Sequence, residues 1–147
     1  MAVEIKLTMY EIMMAANVGV MRQVESIQYK MKHKYIDRGM DWQNHVESAL
    51  SECAMAKYKN VFWSKRKRSE PDVGDWEVRF TQYENGRLIV TKTDYDDRQY
   101  WLITGKNGEY KIHGYMMGKD AKQEKYWTDP GTGVYAYFVP QADLMME

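Results

Sequence analysis

The sequence has little of several features that would identify a protein class directly. It contains one cysteine, Cys53, so no internal disulfide can form, which fits a reducing compartment. No apolar run approaches the length of a membrane-spanning helix. The first residues, MAVEIKLTMYE, carry acids and lack the apolar stretch of a signal peptide. These absences predict a cytoplasmic protein without membrane contact.

The charges show no excess of either sign. Lysine and arginine together number 21, and so do aspartate and glutamate, which gives a formal net charge of zero. A globally basic nucleic-acid binder is therefore excluded, although a local basic face is not. Several catalytic signatures are also missing: His33, His45 and His113 lie far apart, and the sequence has no Walker loop, dinucleotide fingerprint or nucleophile elbow.

What is present indicates one globular domain over 1–147, with 44% hydrophobic and 29% charged residues. Thr8 and Glu11 have capping-box spacing, which predicts an N-terminal helix over 8–32. A second helix is expected from Asp41 to near Phe62. The first helix has an apolar stripe that can pack on the core or on a partner, formed by Ile12, Ala16, Val20, Val24, Ile27 and Met31.

From Pro71 onward the pattern becomes that of strands. WEVRF alternates in polarity, and the Asn85-Gly86 pair in ENGRLIV predicts a hairpin to the next strand. QYWLITG follows as a strand, and KNGEYKIHGYM supplies a second Asn-Gly turn and another strand. GKDAKQEKY is expected as a short helix and VYAYFVP as a last strand. The order predicts an α+β fold with a central mixed sheet flanked by helices.

The stretch EPDVGDWEVRF is the main candidate for chemistry. On a strand, Glu77 and Arg79 point to the same face. Asp72 comes just before, and Gly74 allows the backbone to bend so that both acids approach. Phosphodiester hydrolysis commonly uses carboxylates that bind Mg²⁺ and a neighbouring cationic side chain that stabilises the negative charge of the phosphate. Asp72, Glu77 and Arg79 have the chemistry for these two roles. The alternative is a turn whose acids face water.

Two further features favour the same chemistry. Glu52 lies at one flank of the apolar face of the second helix and Glu47 at the other, where either can lean toward a site at the rim of the sheet. The segment KYKNVFWSKRKR has six basic residues and no acid, so Lys65, Arg66, Lys67 and Arg68 are candidates for gripping a nucleic-acid backbone. The alternatives are a solvated helix carboxylate and a solvated charged loop.

In order along the chain, these residues resemble the PD-(D/E)XK nuclease superfamily, which has the restriction-endonuclease-like fold. ESALSECAMAKY is similar to the family helix, with Glu52 at its glutamate, and PDVGDWEVRF supplies Asp72 and Glu77-x-Arg79. The resemblance covers about 41–144, so the first helix lies outside this core. The chain is also similar to small phage proteins of this type, for which the host cytoplasm would be the compartment.

The resemblance implies a nuclease acting on DNA with Mg²⁺ or Mn²⁺, in which Asp72, Glu77 and Glu52 hold the metal and Arg79 stabilises phosphate charge. The sequence departs from the family pattern in two ways. The spacer between Asp72 and Glu77 has only four residues, whereas the family usually has a longer hairpin there. Asp75 or Glu70 is therefore an alternative to Asp72 as a metal ligand.

The second departure is that Arg79 stands where the family has lysine, and Lys92 is a possible replacement. The alternative function is a catalytically inactive nuclease-like protein that binds nucleic acid or inhibits a host defence protein. The sequence leaves open whether the chain forms a homodimer.

Overall fold

The computed structural model describes residues 1–33, 41–64 and 69–147. The described helices are α1 (Met9–His33), α2 (Asp41–Lys59) and the short α3 (Gly118–Ala121). The described strands are β1 (Val3–Lys6), β2 (Trp76–Thr81), β3 (Leu88–Val90), β4 (Gln99–Lys106), β5 (Glu109–Met117), β6 (Trp127–Thr128) and β7 (Ala136–Val139). Single 3₁₀ turns lie at Glu124–Tyr126 and Gln141–Asp143.

The start of α1 is fixed by its capping box, as the sequence predicts. The Thr8 backbone N–H donates to Glu11 Oε1 at 2.7 Å, and the Glu11 N–H donates to Thr8 Oγ1 at 3.2 Å. Each side chain thereby satisfies a backbone donor that the first turn leaves without a helical partner. Leu7 is buried and Ile12 packs against the same apolar cluster.

α1 packs on α2, and α2 in turn contacts the main sheet. Among α1 residues up to position 30, for which burial is described, the buried positions are small or polar: Ala15, Gly19 and Gln23, four residues apart. A Cβ at Gly19 would lie 2.5 Å from Val46 Cα, so this glycine permits the close helix crossing.

The apolar stripe expected on α1 is only partly buried. Ile12 packs on the core, but Val20 and Val24 are 39% and 43% exposed. The reason is that α1 is covered by α2 along one side only, and the small residues rather than the valines provide that side.

The main sheet has the strand order β1-β5-β4-β2 and is mixed. β4 and β5 form the hairpin that the second Asn-Gly pair predicts, with Asn107 and Gly108 at φ +55° and +90°, the left-handed values of a two-residue turn. β2 pairs parallel with β4, and β1, which the sequence did not predict, pairs with β5. β2 is the last described strand on its side of the sheet.

The predicted hairpin between β2 and β3 is wrong. Asn85-Gly86 does lie in a turn, where the Gly86 N–H donates to the Tyr83 carbonyl at 2.9 Å. The strands then separate, since β3 joins a second sheet of order β3-β7-β6. The physical reason is that Leu88 and Val90 bury in a different apolar cluster from Val78.

The two apolar clusters lie on opposite faces of the main sheet. Trp101 and Ile103 of β4 face the helices, whereas Tyr100 and Leu102 face the second sheet. The result is an α+β fold with a mixed sheet, as expected, although helices α1 and α2 cover only one face. Within the described part of the chain, no helix combines the length and the apolar character needed to cross a membrane.

Candidate functional site

A tight hairpin brings Asp72 and Glu77 opposite each other. Val73 and Trp76 pair across it, with N–H to carbonyl distances of 3.0 Å and 2.8 Å in the two directions. Gly74 has φ +55°, which a residue with a Cβ rarely adopts. Asp72 and Glu77 form the next facing pair of this antiparallel turn, so their side chains share a face. The short spacer therefore brings the two acids together.

The two carboxyl groups are in contact. The side chains of Asp72 and Glu77 are hydrogen-bonded to each other, and Asp72 Oδ2 also accepts the Val78 N–H at 2.9 Å. Burial and then the neighbouring Asp72 raise the pKa of Glu77, which is 8% exposed. The raised pKa means that Glu77 binds a proton more readily than a glutamate in water does.

Arg98 is the direct counterion of Glu77. Its Nη1 lies 2.6 Å from Glu77 Oε1, and its Nη2 donates to the Ser69 carbonyl at 2.9 Å. The guanidinium also lies 3.8 Å from the centre of the Tyr95 ring. The sequence analysis missed this residue, although Arg98 is the one basic residue of the acidic segment TDYDDRQ.

Arg22 of α1 reaches the site from the opposite side. It holds Glu52 with two nitrogens, at 2.7 Å and 3.1 Å, in a bidentate pair. Trp63 Nε1 donates to the same carboxylate at 3.3 Å. Arg22 also interacts electrostatically with Asp72. The first helix, which the resemblance placed outside the core, thus contributes to the site.

The burial of Glu52 follows from the position of α2. Every residue from 49 to 56 is buried, because α1 covers one side of α2 and the sheet the other. A carboxylate at that depth needs a partner, and Arg22 provides it. The small residues at 15 and 19 were the available indication in the sequence that α1 packs closely here.

The three predicted ligands do not form one cluster. In the described residues, no three His, Cys, Asp or Glu side chains are arranged to hold one metal ion. Asp72 and Glu77 are together, whereas Glu52 is held by Arg22. A site for Mg²⁺ still fits the facing pair, because Mg²⁺ commonly uses one or two carboxylates and completes its octahedron with water and substrate phosphate.

Arg79 is engaged away from the acid pair. Its Nη2 lies 2.8 Å from Asp94 Oδ2, and its Nε donates to the Ile89 carbonyl at 3.2 Å. The guanidinium also stacks over the Tyr100 ring at 4.8 Å. Arg79 still lowers the pKa of Glu77 electrostatically. Its contacts join β2 to the loop before β4.

The alternative residues named from the sequence are Lys92, Asp75, Glu70 and Glu47. Lys92 Nζ lies 4.5 Å from the centre of the Trp127 ring, on the second sheet. Asp75 is exposed in the turn, and Glu70 is half-buried before Pro71. Glu47 accepts the Tyr110 hydroxyl at 3.1 Å, which directs it to β5 and not to the acid pair.

The basic segment divides into two parts. Lys65, Arg66, Lys67 and Arg68 lie outside the described residues. Lys57 and Lys59 belong to the end of α2 and are bound within the fold. Lys57 Nζ lies 2.8 Å from Glu11 Oε1, and Lys59 Nζ lies 4.3 Å from the centre of the Trp101 ring.

The acids interact with two arginines: Glu52 pairs with Arg22 and Glu77 with Arg98, and Asp72 interacts with both Glu77 and Arg22. Comparison with protein-family models, with curated protein sequences and with solved structures gave no match to this chain.

Proposed function

We propose that this chain is a metal-dependent nuclease that hydrolyses phosphodiester bonds, with Asp72 and Glu77 as its metal-binding carboxylates. The observation that carries the proposal is their contact across the hairpin at Gly74. A facing pair of carboxylates is a suitable binding site for Mg²⁺ or Mn²⁺. DNA is the proposed substrate, and 65–68 the proposed contact to its backbone.

The finer fold is part of the same proposal. The PD-(D/E)XK plan needs a helix with a glutamate packed beside a strand with two acids. Glu52 lies on α2, which packs against β2, and its partner Arg22 interacts electrostatically with Asp72. Glu77 shares the sheet face of Tyr100, which lies away from α2. We infer a restriction-endonuclease-like core in which β2 is the metal strand.

Each residue then has a separate task. Asp72 and Glu77 hold the metal, which when bound would polarise the phosphate and lower the pKa of a water molecule. Arg22 and Arg98 keep 25% and 21% of their side chains exposed, so they can bind phosphate oxygens while they neutralise the acids. Glu52 positions Arg22. Arg79, held by Asp94, supports the β2 backbone.

A cleavage assay tests this function. Single- and double-stranded DNA and RNA are incubated with the purified chain in Mg²⁺, Mn²⁺ or EDTA. We expect metal-dependent cleavage that falls on the order of 100-fold in Asp72→Asn and Glu77→Gln. Asp75→Asn is the matched control, since Asp75 is an exposed acid of the same turn. Undiminished cleavage by Glu77→Gln would reject the assignment.

A second candidate is a metal-independent binding protein. Arg22 and Arg98 already pair with Glu52 and Glu77, so these two carboxylates have counterions without a metal. Such a protein would bind nucleic acid or inhibit a host protein, in keeping with a phage origin. DNA binding that is equal in EDTA and in Mg²⁺, without cleavage, favours this candidate over the nuclease.

A further inference from the structure

The outer face of α1 is apolar and exposed. Exposure reaches 76% at Tyr10, 56% at Met13, 39% at Val20 and 43% at Val24. These positions belong to one set, here called the seam, which consists of Tyr10, Met13, Asn17, Val20, Val24 and Ile27. Isolated apolar residues on a surface are ordinary, but a continuous apolar helix face is typical of a binding surface.

The seam has no charged residue along its length. Met14 and Met21 flank it and are 52% and 62% exposed, which widens the apolar surface. The charged residues Glu11 and Glu25 lie at other angles of the helix. A partner for this face must therefore be uncharged and apolar as well, and the seam of a second copy meets that condition.

The spacing indicates how two copies would pair. Seam residues are separated alternately by three and four positions, which is the seven-residue repeat of a left-handed coiled coil. Asn17 occupies the same heptad position as Tyr10 and Val24. A single asparagine at that position fixes register in two-stranded coiled coils because it bonds with its counterpart.

We propose that α1 forms a parallel two-stranded coiled coil with α1 of a second copy of this chain. The parallel arrangement follows from Asn17. In a parallel pair the two Asn17 amides meet and hydrogen-bond. In an antiparallel pair Asn17 faces Val20, and a buried amide loses its hydrogen-bonding partner. The proposal does not depend on nuclease activity.

Sedimentation analysis over a range of protein concentrations tests the pairing. The wild-type chain should have the mass of a dimer, and Val20→Glu that of a monomer with unchanged circular dichroism. Val134→Glu is the control, because Val134 is 65% exposed and lies away from the seam. A monomeric wild-type chain would overturn the proposal, as would a dimeric Val20→Glu variant.

Cross-linking tests the direction. Asn17→Cys should form an intermolecular disulfide under mild oxidation, whereas Val134→Cys should not. Cys53 does not interfere, because burial raises the pKa of its thiol to about 11. A dimer in which Asn17→Cys does not cross-link would contradict the parallel pairing.

Discussion

Asp72 and Glu77 face each other across a hairpin turn, and their carboxyl groups are hydrogen-bonded although both are acids. The turn depends on the left-handed backbone of Gly74. Arg98 binds Glu77, and Arg22 binds Glu52 and interacts electrostatically with Asp72. The proposed nuclease and its inactive alternative differ in whether a divalent cation enters this arrangement.

The first prediction concerns the pH dependence of stability. Because the pKa of Glu77 is raised, the folded chain binds this proton more tightly than the unfolded chain. The stabilisation is present below the ordinary glutamate pKa of 4.5 and is lost as pH rises through the raised pKa. In EDTA, the free energy of unfolding of the wild type relative to Glu77→Gln should fall across this window. Urea titrations at several pH values measure it, with Asp75→Asn as the control. A difference that does not change with pH would contradict the prediction.

The second prediction concerns Arg98. Arg98→Ala removes the counterion of Glu77, so the free energy of unfolding in EDTA should fall by about 1.5–3 kcal/mol. The same change removes a competitor for the cation. Added Mg²⁺ should therefore raise the melting temperature of Arg98→Ala more than that of the wild type. Arg87→Ala, which loses only a contact 5.0 Å from the Phe138 ring, is the control. An equal Mg²⁺ response in both proteins would argue against a cation at Glu77.

The third prediction concerns the helix crossing. Gly19→Ala places a methyl group 2.5 Å from Val46 Cα, so α1 and α2 must move apart. We expect the free energy of unfolding to fall by about 1–3 kcal/mol, as for other overpacked sites. The displacement should also loosen the Arg22–Glu52 pair. Glu25→Ala, an exposed change on the same helix, should have little effect. Urea denaturation measures both, and equal stability of Gly19→Ala and the wild type would refute the close crossing.

Local features of the fold could be predicted from the sequence. The Thr8–Glu11 cap and the Asn107-Gly108 turn each depend on neighbouring residues, and both are present as expected. Long-range pairing could not be predicted. The parallel pairing of β2 with β4 and the transfer of β3 to a second sheet depend on which buried cluster each strand joins.

In the candidate site, too, local features could be predicted from the sequence and long-range contacts could not. The acids were selected as candidates because their types and order resemble a family pattern, and the hairpin explains why a short spacer brings Asp72 to Glu77. Arg22 and Arg98 were missed because they are 50 and 26 residues from Asp72 and belong to elements with no motif. Arg79 was assigned to phosphate from its strand position and from the resemblance, and its contact with Asp94 depends on a loop.

The most direct test of the central claim is calorimetric titration of Mn²⁺ into the purified protein without nucleic acid. The account predicts that the wild type and Asp75→Asn bind the cation equally. Asp72→Asn and Glu77→Gln should each bind it at least about 10-fold more weakly. Equal binding by all four proteins, or no binding by the wild type, would contradict a metal site at the Asp72–Glu77 pair.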